Sequence, residues 1–111
     1  MASVENILKI LADRNRLRIL KLLEMRPMCV CELASIIGIK QPSVSRHLKK
    51  LMDVGLIGAE QDSYFTLYHC CCCSGAADKI KQVVLQNMNS DPQVVSDRKK
   101  AKKINRKMIC K

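Results

Sequence analysis

The sequence has no uninterrupted apolar stretch of about 18 residues, so we predict no membrane-spanning helix. Its first residues also lack the charged start and the apolar stretch of a signal peptide, and we expect a cytoplasmic protein. No nucleophile–base pairing is visible, and the contexts of both histidines, His47 and His69, are explained without catalysis. We therefore do not expect an enzyme.

Cysteine is too scarce for a disulfide scaffold. The seven cysteines among 111 residues fall below the share of roughly 8–10% that is typical of that class. Their number is odd, and four of them are contiguous at residues 70–73. Without a secretion signal the thiols are expected to be reduced, which favours metal or redox chemistry over structural bridges.

Acidic residues are outnumbered by basic ones. Lys and Arg total 20 against 10 Asp and Glu, which gives a net charge of +10. This excess favours a polyanionic partner, nucleic acid before membrane. The length is that of one domain with a modest core.

Residues 28–57 contain two short apolar-periodic segments joined by a tight turn, the pattern of a helix-turn-helix. The first segment has four apolar residues on one side at helical spacing: Val30, Leu33, Ala34 and Ile37. Gly38 can adopt the positive φ that ends such a helix, and Pro42 suits the first position of the next one. The second segment has its own buried stripe: Val44, Leu48 and Leu51.

The outward side of the second segment has hydroxyls at its start and cations along its length. Its candidate DNA-contacting residues are Gln41, Ser43, Ser45, Arg46, Lys49 and Lys50. Ser, Gln and Arg can contact base edges in a major groove, while lysines and the helix N-terminus bind phosphates. The same side chains also fit an ordinary solvated face. His47 lies about 60° from the buried stripe, so we predict an edge-of-core histidine there.

Two helices are predicted before this unit, capped by Ser3 and Asp13. Three arginines surround the start of the second helix: Arg14, Arg16 and Arg18. Cations at a helix N-terminus oppose the macrodipole, so contact with phosphates is an alternative to simple solvation for them.

After the unit, residues 56–61 and 64–70 alternate as a β-hairpin around Asp62-Ser63, and residues 76–88 predict a further helix. Residues 90–111 hold eight Lys or Arg against two Asp, which is six of the ten net positive charges. We predict a boundary between a folded domain at 1–89 and a basic C-terminal tail at 90–111. The tail forms either a loose helix or a disordered arm that adds DNA affinity, and we favour the arm.

Three motifs resemble those of the ArsR/SmtB family of small winged-helix repressors that sense metals and metalloids. Gln-Pro-Ser-Val-Ser-Arg-His-Leu, at residues 41–48, looks like the start of that family's recognition helix. Residues 11–20 are similar to its helix-2 signature, and Cys29-Val-Cys-Glu-Leu33 resembles the thiolate motif of its arsenite- and cadmium-responsive members. The resemblance implies a mainly α winged helix-turn-helix with a β-hairpin wing. It also implies a homodimer, formed through the first helix and residues 76–88, that binds double-stranded operator DNA.

By the same resemblance, Cys29 and Cys31 bind arsenite or antimonite as inducer, with cadmium or lead as the alternative. Thiolates select soft ions. Two residues apart, the thiolates diverge by about 200° in a regular helix, so binding one ion requires its first turn to deform. We expect that deformation to tilt the DNA-contacting helix out of register.

Arsenite takes three sulfurs, and the close arsenic-sensor motif has a third cysteine where this sequence has Ala34. The cysteine run at residues 70–73 is the obvious source, and Cys71 and Cys73 fall on one face if the strand continues. An independent thiolate site within the run, and a run without function, both stay open. Cys110 is the less favoured candidate.

The leading hypothesis is thus a repressor that binds its operator as the apo dimer and is released by thiolate coordination of the inducer. A redox or persulfide switch of the same fold is one alternative, and it would ignore arsenite and cadmium in reductant. A thiol-rich metal buffer with an incidental helix-turn-helix is another, and it would have no sequence preference on DNA.

Overall fold

The computed structural model describes residues 3–70 and 75–104. The elements found in these residues are α1 (Val4–Leu11), α2 (Arg14–Leu23), α3 (Val30–Ile37), α4 (Gln41–Asp53), β1 (Ile57–Asp62), β2 (Phe65–Cys70), α5 (Ala76–Gln86) and α6 (Pro92–Lys103). The predicted class, mainly α with one β-hairpin, is confirmed. Within the described ranges, no helix is long and apolar enough to cross a membrane.

Helix α2 lies at the centre of the domain and contacts the other five described helices and β2. It begins after Asp13, whose carboxylate accepts a hydrogen bond from the backbone N–H of Arg16, as predicted. Ile19, Leu20 and Leu22 are completely buried on it. Full burial of such a side chain stabilises the fold by about 1.5–3 kcal/mol, so α2 is a main source of core stability.

The turn between α3 and α4 has the predicted backbone. Gly38 adopts φ +82°, and its N–H donates to the carbonyl of Ala34 at 2.9 Å, which ends α3. Helix α4 begins at Gln41, so Pro42 occupies its second position, one residue later than predicted. The stripe of Val44, Leu48 and Leu51 is buried, as expected.

The two strands form an antiparallel hairpin in which Ile57 lies opposite Cys70. Two residues connect them, Ser63 at φ +54° and Tyr64. Each strand begins one residue later than predicted, and the hairpin itself is confirmed. Ile57 of the hairpin is buried in the core, and Tyr68 and Cys70 are partly buried against it.

The segment before α3 is paired with the wing. Met28 and Tyr68 exchange two backbone hydrogen bonds, with N–O distances of 3.1 and 2.9 Å. Met28 is completely buried, which fixes this bridge against the core. The bridge therefore brings β2 alongside Cys29, the next residue in the chain.

Helices α1 and α5 pack against each other at one side of the domain. Ser3 caps α1, and Ile7 and Leu11 are its buried residues. Helix α5 ends at Gln86, two residues earlier than predicted. The pair leaves three large apolar side chains exposed: Val4 (48%), Leu8 (49%) and Val83 (61%).

The preference for a disordered arm is wrong for residues 92–103, which form α6 and pack on α2 and α3. Asp91 caps this helix by accepting hydrogen bonds from the N–H groups of Gln93 and Val94. Val94, Asp97 and Ala101 are its buried residues. Val94 and Ala101 already give a weak helical stripe in the sequence, but hydrophobic periodicity does not include the acid between them. Residues 105–111 lie outside the described ranges.

Asp97 is buried because an arginine of α2 neutralises it. Arg18 donates from Nε to Asp97 Oδ2 at 2.8 Å and from Nη2 to Oδ1 at 2.9 Å. Its Nη2 also donates to the carbonyl of Ile37 at 3.2 Å, which joins the middle of α2 and of α6 to the end of α3. This bidentate pair is the principal polar attachment of α6.

The other two arginines at the start of α2 are also bonded within the chain. Arg14 donates to both carboxylate oxygens of Asp91, at 2.6 and 2.8 Å, and this guanidinium holds the pKa of Asp91 below its usual value. Arg16 is buried and donates from Nε to the carbonyl of Ile10 at 2.6 Å. The expectations of phosphate contact and of simple solvation are therefore both wrong for the buried Arg16 and Arg18.

Candidate thiol cleft and nucleic-acid interface

The outward side of α4 is the candidate nucleic-acid interface. Its exposed members are Gln41, Ser45, Arg46, Lys49 and Lys50, while Ser43 is half-buried. Arg46 donates from Nη2 to Ser43 Oγ at 3.2 Å. Arg46 and Lys49 lie roughly opposite the buried stripe of α4, with Ser43, Ser45 and Lys50 on its flanks, an arrangement that suits entry into a major groove.

The N-terminus of α4 lies on the same side of the domain. Its N-cap is Lys40, whose side chain forms no capping hydrogen bond. Pro42 has no N–H, so one of the donors that usually need a cap is missing. A helix start of this kind, preceded by the exposed Lys40, suits contact with a phosphate.

His47 lies at the edge of the core, as predicted. Arg16 donates from Nη1 to His47 Nδ1 at 3.3 Å, so the neutral ring has its proton on Nε2. Burial lowers the pKa of His47 below its usual 6.5, and the negative charge of Asp13 opposes this shift. The positive charges of Arg16, Lys50 and Arg46 lower the pKa further. The neutral imidazole therefore joins α4 to the start of α2.

Cys29 is the N-cap of α3 and not a helical residue. Its backbone is extended, with φ −90° and ψ 170°, and the helix begins at Val30. The expected 200° divergence of two helical cysteines therefore does not apply, because only Cys31 is within α3. No deformation of a helical turn is needed for both thiols to border one space.

A buried carboxylate holds the backbone of Cys29. The backbone N–H of Cys29 donates a hydrogen bond to Glu32 Oε1 at 3.2 Å, which is the contact between the N3 side chain and the N-cap backbone in a capping box. Glu32 is completely buried. Arg26 pairs with the other oxygen of Glu32 and donates from Nη2 to the carbonyls of Ala101 and Ile104, at 3.1 and 2.8 Å. The thiol-bearing segment is thereby linked to the end of α6. Sequence reasoning missed this link, although the Cys-x-x-Glu spacing at 29–32 was a possible signal.

Cys31 contacts α4 directly. Gln41 Nε2 donates to Cys31 Sγ at 3.4 Å. Gln41 is the first residue of α4 and one of the six predicted DNA-contacting residues. The contact places a candidate ligand atom and a candidate base-reading side chain within one hydrogen bond of each other.

Both thiols border the same cleft, which lies between the start of α3 and the wing and has a volume of about 550 Å³. Its lining residues are Cys29, Val30, Cys31, Tyr64, Phe65, Thr66 and Tyr68. Cys29 is 97% buried but lines this space, and Cys31 is half-buried. Two soft donors on an open cleft fit a thiophilic ion or metalloid.

Cys70 is the one other cysteine among the described residues, and it does not line this cleft. Cys70 packs on the core, with its Sγ 3.7 Å from the carbonyl of Leu20. Cys71, Cys73 and Cys110 lie outside the described residues. Within residues 3–70 and 75–104, no group of three or more Cys, His, Asp or Glu is arranged to hold a metal.

Helix-turn-helix, wing and exposed cationic helix together define a winged helix-turn-helix regulator, a class that binds DNA and is not enzymatic. The chain belongs to the ArsR family of transcriptional repressors. The model of the bacterial regulatory proteins of the arsR family matches residues 13–58.

Two relatives illustrate the range of the family. The arsenical resistance operon repressor of Staphylococcus aureus is 34% identical over 89 residues, which are 78% of this chain and 77% of that protein. The cadmium resistance transcriptional regulatory protein of Listeria innocua is 36% identical over 67 residues, 60% of this chain and 56% of that protein.

Solved structures share the fold. The transcriptional repressor BigR from Xylella fastidiosa superposes with a TM-score of 0.69 at 25% identity, over 80% of this chain and 86% of that one. A homodimeric winged helix-turn-helix DNA-binding domain from Mycobacterium bovis gives 0.64 at 23%, over 79% and 82%.

Proposed function

We propose that this chain is a metalloid-responsive repressor whose apo homodimer binds an inverted-repeat operator in the cytoplasm. Arsenite or antimonite, bound by Cys29 and Cys31, releases it. The observation that supports this most directly is the contact of Cys31 Sγ, on the thiol cleft, with Gln41 on the DNA-facing helix. The name of the Staphylococcus aureus relative supports the choice of inducer.

Release follows from competition for Cys31. When the Cys31 thiol gives up its proton and forms a bond to the metalloid, Sγ turns toward the cleft and its electron density is drawn to the metalloid, so that it accepts the Gln41 N–H less well. Cys29 joins the same metalloid from the N-cap, which shifts the start of α3 against α4. Gln41 loses its partner, and α4 tilts out of its groove register.

The outward side of α4 performs the DNA binding. Gln41, Ser43, Ser45 and Arg46 contact base edges, while Lys49 and Lys50 bind phosphates. We expect Lys49→Ala to lower the salt dependence of operator affinity by about one unit of slope, and Lys79→Ala on α5 to leave it unchanged. A salt dependence that is equal in the two variants would contradict this assignment.

The homodimer forms through α1 and α5. Their exposed apolar side chains, Val4, Leu8 and Val83, form a surface that dimerisation would bury, and the Mycobacterium bovis neighbour is described as homodimeric. We expect Leu8→Glu to give monomers in sedimentation at concentrations where the wild type dimerises. Lys9→Glu, one residue away and exposed, is the matched control. Dimers that persist in Leu8→Glu would exclude this interface.

For arsenite, the third sulfur is contributed by Cys71 or Cys73, with Cys110 as the less favoured source. Cys70 precedes these two residues at the end of β2, and β2 is held beside Cys29 by the Met28 bridge. The cadmium resistance relative favours cadmium as a second candidate inducer, with lead as a further soft ion.

One titration tests the proposal. Operator release is measured by fluorescence anisotropy in reductant against arsenite, antimonite, cadmium, lead and zinc. Wild type is compared with Cys29→Ser, Cys31→Ser, a variant with serine at 71–73 and Cys110→Ser, and Cys70→Ser, which does not change the cleft lining, is the matched control. We expect either single serine at 29 or 31 to abolish release while apo operator binding is retained.

Each result separates one hypothesis from the others. Release by cadmium or lead alone changes the inducer but keeps the site. Release that needs an oxidant or a persulfide donor, with no response to any ion, indicates the thiol switch. Inducible release that survives both serine substitutions excludes Cys29 and Cys31 as the sensor.

A further inference from the structure

The outward side of α6 is cationic and has no role in the function proposed above. Four exposed lysines lie within its last five residues, and we call them the α6 lysine patch: Lys99, Lys100, Lys102 and Lys103. At 100° per residue, Lys99 and Lys103 point directly away from the buried stripe of the helix, and the other two lie on its flanks. The patch therefore faces solvent as a single surface.

The folded domain does not neutralise this patch. Arg98, its neighbour, pairs with Glu24 at 3.8 Å, but the four lysines form no ion pair with any residue in the part of the chain that the structure describes. Cations in a last turn complement the helix dipole, yet Lys99 lies before that turn. Lys99 and Lys103 are also like charges one turn apart, which destabilises a helix. An anionic partner would relieve this repulsion.

The lysine-bearing end of α6 is held beside the helix-turn-helix. Arg26 donates to the carbonyls of Ala101 and Ile104, at 3.1 and 2.8 Å, and it pairs with Glu32 in the first turn of α3. Gln41, the first residue of α4, contacts Cys31 in that same turn. The patch and the start of α4 thus lie on either side of the first turn of α3.

This separation matches the dimensions of a DNA groove. A helix with its side chains is about 10–12 Å across, and the major groove of B-DNA is about 12 Å wide. When α4 occupies the groove, a surface about one helix diameter away from its start meets the phosphates that border the groove. Those phosphates are the polyanion closest to the patch in such a complex.

We propose that the α6 lysine patch binds the phosphate backbone beside the groove that α4 occupies. The inference rests on the proposed DNA binding by α4 and adds a second contact surface in each protomer. Contacts to phosphates release counterions and strengthen binding without reading sequence. The patch therefore contributes affinity, while α4 contributes the choice of site.

The first test measures the salt dependence of DNA binding. The probe is a duplex of about 30 bp, long enough for two half-sites and their flanks, that the wild-type protein selects from a random pool. Lys99→Gln, Lys103→Gln is compared with Lys9→Gln, Lys79→Gln, which removes two exposed lysines from α1 and α5 and changes the net charge equally. Sedimentation and urea unfolding check that both variants remain folded dimers.

We expect the slope of log K against log salt to fall by about two units per bound protomer in the patch variant, since each phosphate contact contributes about 0.9. The control should keep the wild-type slope. A random duplex of the same length should show the same loss, because phosphate contacts carry no sequence information. Equal slopes in the two variants, or a loss confined to the selected duplex, overturn the inference.

The second test separates direct contact from the general field of the protein. Reductive methylation of lysines, followed by peptide mass spectrometry, compares the free dimer with its DNA complex. Lys99 and Lys103 should be methylated several times more slowly in the complex, while Lys79 keeps its rate. Unchanged rates at both patch lysines would show that they act only at long range, which contradicts a contact.

These outcomes distinguish the inference from the function beneath it. If Lys49→Ala lowers the salt slope but the patch variant matches its control, α4 binds DNA and only the second surface is wrong. If neither variant changes the slope, the proposed DNA interface on α4 is wrong as well.

Discussion

The attachment of α6 gives a prediction whose size follows from the structure. Arg18 and Asp97 are 7% and 2% exposed and form a bidentate pair at 2.8 and 2.9 Å. Replacing Asp97 by Leu leaves the Arg18 guanidinium buried with the Ile37 carbonyl as a remaining acceptor. Breaking a buried pair in this way costs about 3–5 kcal/mol, roughly a fifth or more of the stability of a typical small domain.

The double variant Arg18→Met, Asp97→Leu should behave differently. It removes both charges and fills the space with apolar atoms of similar volume, so we expect it to be within about 1 kcal/mol of the wild type. Urea titrations at one fixed protein concentration give the free energy of unfolding of each variant. The double-mutant cycle then gives the coupling energy between Arg18 and Asp97. Arg14→Met, which breaks the exposed pair with Asp91, is the matched control and should shift the midpoint far less.

The reasoning is refuted if the losses of stability in Arg18→Met and Asp97→Leu add up to that of the double variant. It is also refuted if either single variant loses less than about 1 kcal/mol, because a buried charge without its partner is strongly destabilising. The same cycle can be read by hydrogen exchange. Amides of α6 should exchange faster in Asp97→Leu while those of α4 keep their protection.

Three further predictions concern the backbone and the ionisable groups. Gly38→Ala should cost about 1–2 kcal/mol in urea unfolding from backbone strain alone, because a Cβ there meets no atom within 4 Å; an unchanged midpoint would contradict the φ of +82°. Asp13→Ala should lower the free energy of unfolding by about 1 kcal/mol, because the cap of α2 is lost. Hydrogen bonding to Arg16 lowers the pKa of Asp13 despite its partial burial, so the stabilisation by Asp13 in the wild type should be lost as pH falls below about 3.8. The lowered pKa of His47 means that the unfolded chain binds the proton first, so stability should fall as pH drops below 6.5, and His47→Gln should flatten that dependence. An imidazole titration by NMR with a midpoint above 6.5 would reverse the sign.

The helix-turn-helix was predictable because its determinants are local. Gly38 and the stripes on either side of it fix two helices and the turn within one short segment. Capping by Ser3 and Asp13 is likewise local, because each side chain accepts a hydrogen bond from the backbone N–H three residues further along the chain. Local propensity and tertiary packing agree in this region, so pattern and structure coincide.

Helix α6 and the α2 arginines were mispredicted for a common reason. Charge was read as solvent exposure, whereas Arg18 and Asp97, 79 residues apart in sequence, bury each other. Neither partner signals burial by itself, and only their juxtaposition compensates for the desolvation of both. Arg16 is buried in the same way by the carbonyl of Ile10.

The sequence indicated which residues could form the candidate site, but not how those residues are arranged in space. The sequence motif identified Cys29 and Cys31, but helical arithmetic assumed that both were inside the helix, and Cys29 precedes it. The contact of Gln41 with Cys31 and the aromatic lining contributed by the wing depend on how separate elements pack. No spacing rule within one segment could have provided them.

The two main-chain bonds between Met28 and Tyr68 join the hairpin to the segment that contains Cys29. If Cys29 and Cys31 form the sensor that we propose, a displacement at Cys29 would reach α4 through α3 and the hairpin through Tyr68. No side chain forms these bonds, so substitutions that keep the Met28 and Tyr68 N–H groups and the packing of Met28 leave the linkage in place. Under the proposed function, a change in the ligand preference of this segment would therefore also change the affinity for the operator.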